Sequence, residues 1–412
     1  MSPRRPSAPR STTGARPPSP REPSPSPVAG GFVIGLLVLT ALFVLTQLYS
    51  AIPLIGPVGE DLGGGVTFAL ATCFSLCYAA GFLIWGPVSD HYGRRRLMVP
   101  GVLALALATF ACAFAPSVLW LGVLRGVQGL AAASFAPVAL AYLTEATAPR
   151  HRGIAIGAMS TAFLVAGIFG QVFASYVSLR LGWPWVFGLS GLVLALACVM
   201  VVLTVSEVPR REVSGGLGER FAALGRVVVR PTVLLLCCAH VTLLLSFVGM
   251  YTALGPHLSA FDLDPSNILL LRLIGLPAMF LALSVGPLSR RLGMAGVARA
   301  GFLLAAVGMG LEALLSQSLV GVCAASVVFV SGVALAIPAM ITLFGEAAAP
   351  ERAGGMALTG FVLFVGASLG PLVAAAVGGF ALLLAGFTAL LTVAALCVTM
   401  FDRSTRKEGV KA

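Results

Sequence analysis

Charge is what this 412-residue chain has least of: Asp, Glu, Lys and Arg make up only 10% of it, while 58% is hydrophobic. A soluble domain carries roughly a quarter charged residues, so no water-bounded core accommodates this composition. Lysine is nearly missing, with Lys407 and Lys411 alone near the C-terminus. That absence excludes a GxxxxGK[ST] phosphate loop and with it direct ATP coupling on this chain. The eight cysteines all fall inside apolar stretches, without CxxC spacing or a histidine pattern that suggests a metal site. They read as small hydrophobes, and no metal or cofactor is implied. Four scattered histidines (His91, His151, His240, His257) do not supply the cluster a membrane hydrolase needs, so an enzyme is not expected.

What is present is apolar sequence in runs near 20 residues, the length that crosses a hydrocarbon layer of about 30 Å. Spans are expected near 31–55, 66–88, 97–115, 118–143, 153–177 and 185–205, then 232–254, 266–287, 296–315, 319–345, 354–377 and 379–400. Residues 1–30 hold nine prolines, six serines and five arginines. This composition cannot bury enough apolar surface to fold, so a disordered tail is expected, and the first apolar run is too far in and too long for a cleaved signal. A second break, 206–231, carries Pro209, Gly215, Gly216 and a group of Arg and Glu, and reads as a linker between bundles at 31–205 and 232–400, with a tail at 401–412.

The net charge of +11 points to topology rather than to nucleic acid. If both tails are cytoplasmic, 23 of the 26 basic residues lie in cytoplasmic segments; Arg125, Arg180 and Arg272 are the others. Basic loops stay inside, so both termini are expected in the cytoplasm of a multi-pass protein. The two halves also repeat each other. Gly86-Pro-Val-Ser89 with Gly93 recurs as Gly286-Pro-Leu-Ser289 with Gly293, and Glu145-Ala-Thr-Ala-Pro149 as Glu346-Ala-Ala-Ala-Pro350. The expected fold is therefore an all-α membrane protein of two related six-helix bundles, an architecture suited to alternating access.

The stretch Gly86-Pro-Val-Ser-Asp90-His-Tyr-Gly93-Arg94-Arg95-Arg96 resembles the signature loop of the major facilitator superfamily. Arg125-Gly-Val-Gln128-Gly129 resembles the RxxQG motif of its proton-coupled members, and the turn at Pro149 to Gly153 is similar to the family's as well. The resemblance covers about residues 31–400. It implies the major facilitator fold, a conformational latch at Gly86, Asp90, Gly93, Arg94, Arg95 and Glu145, and proton coupling at Arg125 and Gln128. The family's antiporter signature in span five departs here: Gly167-Ile-Phe-Gly170-Gln171 has glutamine where proline is expected, while Gly370-Pro371 stands in span eleven.

At 100° per residue, Arg125, Gln128, Phe135 and Tyr142 share one sector of span four, beside a sector of Gly122, Gly126, Gly129 and Ala133. Thr40, Phe43, Gln47 and Ser50 form a stripe on span one, and His240, Phe247 and Tyr251 one on span seven. By resemblance these spans line a central cavity, whose contacts are expected at Gln47, Phe135, Gln171, His240, Phe247, Tyr251 and Arg272. Arg272 and Glu312 are a candidate buried pair. The function that follows is proton-driven export of small amphipathic organic molecules, such as drugs or secondary metabolites, by a monomer in a bacterial inner membrane. A sugar or metabolite carrier of the same fold is the alternative.

Overall fold

A computed structural model describes residues 29–207, 217–259, 261, 273–349 and 351–409. Among the described residues there is helix and no strand. Lipid offers no hydrogen bonds to an open backbone, so a spanning segment must bond within itself, as a helix does. Among the described residues eleven helices are long and apolar enough to cross a membrane.

Proline accounts for two interruptions, in spans one and four. Span one is α1 (Gly31–Tyr49) and α2 (Ala51–Leu62), divided at Ser50 because Pro53 has no N–H to offer the Tyr49 carbonyl. Span two opens with a π-helical turn, Phe68–Thr72, and continues as α3 (Cys73–Tyr92). After α4 (Arg94–Cys112), span four divides into α5 (Val118–Ala133) and α6 (Ala136–Ala146), where Pro137 interrupts the backbone ladder. Helices α7 (Pro149–Leu181) and α8 (Trp183–Thr204) complete the first half. The short α9 (Leu217–Val228) lies in the linker.

In the second half, α10 (Pro231–Ser259) is unbroken. The span expected at 266–287 falls partly outside the described residues. Its described part is α11 (Leu276–Met279), a 3-10 turn at Phe280–Ser284 and α12 (Val285–Leu292), one winding of changing pitch. Then follow α13 (Met294–Leu314), α14 (Leu319–Ala347), α15 (Arg352–Ala376) and α16 (Phe380–Gly409).

The repeat extends to backbone detail. Gly93 and Gly293 both have positive φ, +107° and +71°, at matching helix boundaries. Ser117 and Ser318 both cap the following helix, accepting from the N–H of Trp120 and Gly321. Inside each half α4 packs on α5 and α8, and α13 on α14 and α16; between halves, α3 packs along α15. There a Cβ on Gly360 would collide with the Phe82 ring, and the Tyr78 and Phe364 rings meet edge to face at 4.4 Å. Large apolar side chains face outward, Phe114 at 71% and Leu314 at 82% exposure, as lipid requires and water would penalise.

Candidate functional site

The first cluster lies at the end of the bundle where α3 turns into α4. Gly93 occupies a backbone region that is nearly reserved for glycine, and a Cβ there would crowd the Glu207 carboxylate at 3.0 Å. That carboxylate accepts from the backbone N–H groups of Arg95 and Arg96 at 3.3 and 3.2 Å, at the positive end of α4. Arg94 forks onto Glu145, Nη2 to Oε1 at 2.9 Å and Nε to Oε2 at 3.4 Å, and also donates to the Ser89 hydroxyl at 2.6 Å. Arg95 donates to the Val202 carbonyl. Of the expected latch residues, Gly93, Arg94, Arg95 and Glu145 thus converge. The Asp90 side chain lies outside the described residues. Close approach does not explain Gly86, since a Cβ there would meet nothing within 4 Å.

The second cluster is a buried polar node between spans one, two, three and four. Arg125 has none of its surface exposed. Its Nε donates to the Leu70 carbonyl at 2.8 Å, inside the π-helical turn. Nη2 donates to the Gln47 carbonyl at 2.9 Å and Nη1 to Gln128 Oε1 at 2.6 Å. Gln128 in turn donates to Thr109 Oγ1 and to Gln47 Oε1. Phe74 lies beneath the guanidinium, 4.4 Å from ring centroid to Cζ. Among the described residues every acceptor in this node is a neutral oxygen, and no carboxylate joins it. The glycine sector of span four performs the expected service: a Cβ on Gly129 would collide with the Phe74 backbone, and Ala133 closes on Gly81. Phe135 and Tyr142, on the Arg125 sector, are fully buried within the same half.

The third cluster is aromatic and joins the halves. Phe247 lies 6.1 Å from Tyr49, 4.9 Å from Tyr251 and 6.3 Å from Phe329 between ring centroids. A Cβ on Gly167 would rest on Phe247 at 3.4 Å, and one on Gly170 would crowd Tyr49 at 3.2 Å. Gln171, next along α7, donates to the Gly167 carbonyl, while its Oε1 is buried without a partner. Further along α10, His240 is fully buried against Phe344, and neither ring nitrogen has a partner. So Phe247 and Tyr251 come together, with Gln171 close by; Gln47 and Phe135 belong to the first half's interior. Arg272 lies outside the described residues.

Three contributors escaped the sequence reading: Glu207, the Leu70 carbonyl and Tyr49. Glu207 acts 112 positions from Arg95, and a backbone carbonyl has no residue signature. Tyr49 was legible only as one more aromatic near the end of a helix.

A family model described as Major Facilitator Superfamily matches residues 37–371. A probable transporter of Streptomyces coelicolor is 30% identical over 339 residues, 78% of this chain and 77% of that one. An uncharacterized MFS-type transporter of Bacillus subtilis is 28% identical, and the match spans 49% of this chain and 52% of that protein. Multidrug resistance protein 3 of Bacillus subtilis is 25% identical over 42% of this chain and 34% of its own length. Among solved structures, a bacterial homolog of the human lysosomal transporter Spinster, inward-facing and unoccupied, superposes with a TM-score of 0.69 at 18% identity. It covers 91% of this chain and 97% of that one, a likeness of fold alone.

Proposed function

Because this chain belongs to the Major Facilitator Superfamily, we propose that it is a proton-driven exporter of small amphipathic organic compounds, working as a monomer in a bacterial inner membrane with both termini cytoplasmic. The observation that carries this reading is the character of the seam between the halves. Tyr49, Phe247, Tyr251 and Phe329 supply flat, polarisable surface there, and no described acidic side chain accompanies them. Such a lining suits ligands recognised by shape and apolar area, whereas a sugar requires several convergent hydrogen-bonding groups. The multidrug resistance proteins among the relatives support the same reading at low identity.

Export proceeds by rocking one half against the other about this seam. The Arg94–Glu145 fork and the Glu207 cap serve as the latch, fastening the cytoplasmic ends of spans two, three, four and six in one of the two states. The test is proton movement in everted membrane vesicles energised to an acidic interior and challenged with hydrophobic antibiotics and dyes. Compound-dependent proton release, absent from vesicles lacking the protein, is expected. A protein that moves sugars or polar metabolites and leaves the pH gradient unchanged with every amphipathic compound overturns the reading.

A further inference from the structure

The internal repeat superimposes the buried polar node of the first half on a very different set of residues in the second. Gly93 to Gly293 fixes an offset of 200 through α4 and α13, and Ser117 to Ser318 an offset of 201 through α5 and α14. Cys112 therefore corresponds to Glu312, Arg125 to Ser326 and Gln128 to Phe329, while Gln47 on α1 corresponds to Phe247 on α10. The contacts follow the correspondence. Gln47 bonds Gln128 at 3.2 Å, and Phe247 stacks on Phe329 at 6.3 Å. Cys112 touches Gln128 at 3.9 Å, and Glu312 Oε1 accepts from the Ser326 hydroxyl at 3.0 Å. One half buries a cation where the other has serine; the second half buries a carboxyl where the first has a thiol.

Glu312 has none of its surface exposed, and its Oε2 is buried without a hydrogen-bond partner. No ion pair to it is found among the described residues; Arg272, the partner expected from the sequence, lies outside them. Among the described residues the groups facing it are few. On α14 these are Ser326 and the Cys323 thiol; α16 presents no charge until Asp402 and Arg403 at its far end, and Arg299 on α13 is likewise at the opposite end. His257 on α10 is engaged with the Ser316 carbonyl in the turn beyond α13. An ionised carboxylate with one hydrogen bond cannot be sustained in such a place, whereas a neutral carboxylic acid can.

We propose that Glu312, held by Ser326, is the proton-binding site that couples transport to the proton gradient, occupied in the conformation described here and emptied when α13 and α14 separate. This rests on the proton-driven reading above. The proton comes from water and returns to water, with no other bond made or broken. Glu312 is two residues from the end of α13 remote from the termini, so water on that side is nearest. Losing the proton leaves a carboxylate that needs water or a cation, and admitting either means parting the seam where Gly308 meets Phe329 backbone and Gly332 meets Ala305. Phe329 is one turn from Ser326 on α14 and stacks on Phe247, so the movement reaches the seam between halves.

Two measurements on purified protein in lipid vesicles decide it. Infrared difference spectra across a pH titration are expected to show a protonated carboxyl band at neutral pH in the wild type, absent in Glu312→Gln and displaced in frequency in Ser326→Ala. Transport of a dye that the wild type moves with protons is expected to continue in Glu312→Gln but to lose its response to the pH gradient. A wild-type spectrum without a band attributable to Glu312, or gradient-driven transport unchanged in Glu312→Gln, overturns the assignment and leaves proton-driven export standing. If the wild type moves dyes without moving protons, the export reading fails first and the coupling role falls with it.

Discussion

Arg125 carries five N–H donors into a site from which water is excluded, and its position on α5 is meaningful only through what those donors reach. Replacing it by alanine removes the side-chain donor from the Leu70 carbonyl and from Gln128 Oε1, and leaves the Gln47 carbonyl only the Ser50 hydroxyl as a side-chain donor. A buried group left unpaired costs about 1–3 kcal/mol. Arg125→Ala is therefore expected to melt at clearly lower temperature in detergent, and Arg125→Lys to recover only part of the loss, because an ammonium cannot reproduce the planar fork. A wild-type melting temperature in Arg125→Ala would remove the node from the account of stability. The sequence showed Arg125 and Gln128 sharing a helix face by angular spacing alone. It could not show that one of their acceptors is a carbonyl in a π-helical turn, because such a turn is a product of packing and has no composition of its own. Gly86 and Gly93 read alike in the sequence, and only the structure separates them, a Cβ crowding Glu207 at Gly93 and meeting nothing at Gly86, since the space around a glycine is a tertiary fact.

Among the elements, the linker helix α9 and the start of α10 are tied to the turn between α14 and α15. Arg230 donates to the Ala347 and Ala349 carbonyls and to Glu351 Oε2 at 2.6 Å, with Arg226 3.6 Å from Glu351 Oε1. The Arg230 hydrogen bond holds the Glu351 carboxyl below the usual carboxylate range. A carboxyl shifted downward on folding stabilises the fold fully above its unfolded value, near 4.3 for glutamate, and the contribution is lost as pH falls through the lower folded value. Protease nicking of the linker in detergent is thus expected to rise on acidification below about pH 4 in the wild type. In Arg230→Ala it should already be raised at neutral pH and respond less to acid; an identical pH profile in both would sever α9 from this tie. The sequence marked 206–231 as a linker by its prolines, glycines and charges, but nothing in it paired Arg230 with a glutamate 121 positions away.

At the scale of the whole molecule, the halves meet along α3 and α15 from Thr72, whose hydroxyl donates to the Ser368 carbonyl at 3.0 Å, to Phe82 against Gly360. A cycle that rocks the halves must vary this contact. With the eight native cysteines replaced, Thr72→Cys paired with Ser368→Cys is expected to oxidise to a disulfide that stops transport, with recovery on reduction; full activity in the cross-linked protein would mean these spans move as one body. The sequence by itself determined the helical, multi-pass character of this protein and its internal duplication, because lipid admits few backbone solutions and because apolar run length, basic loops and repeated Gly-Pro-x-Ser motifs are all local signals. Only the tertiary structure decided what each buried polar group faces: Arg125 a ring of neutral oxygens, and Glu312 a single serine. The reason is physical. Helix periodicity assigns a side chain to a face, but its partner is chosen by the crossing of separate helices, which depends on every small residue along both seams.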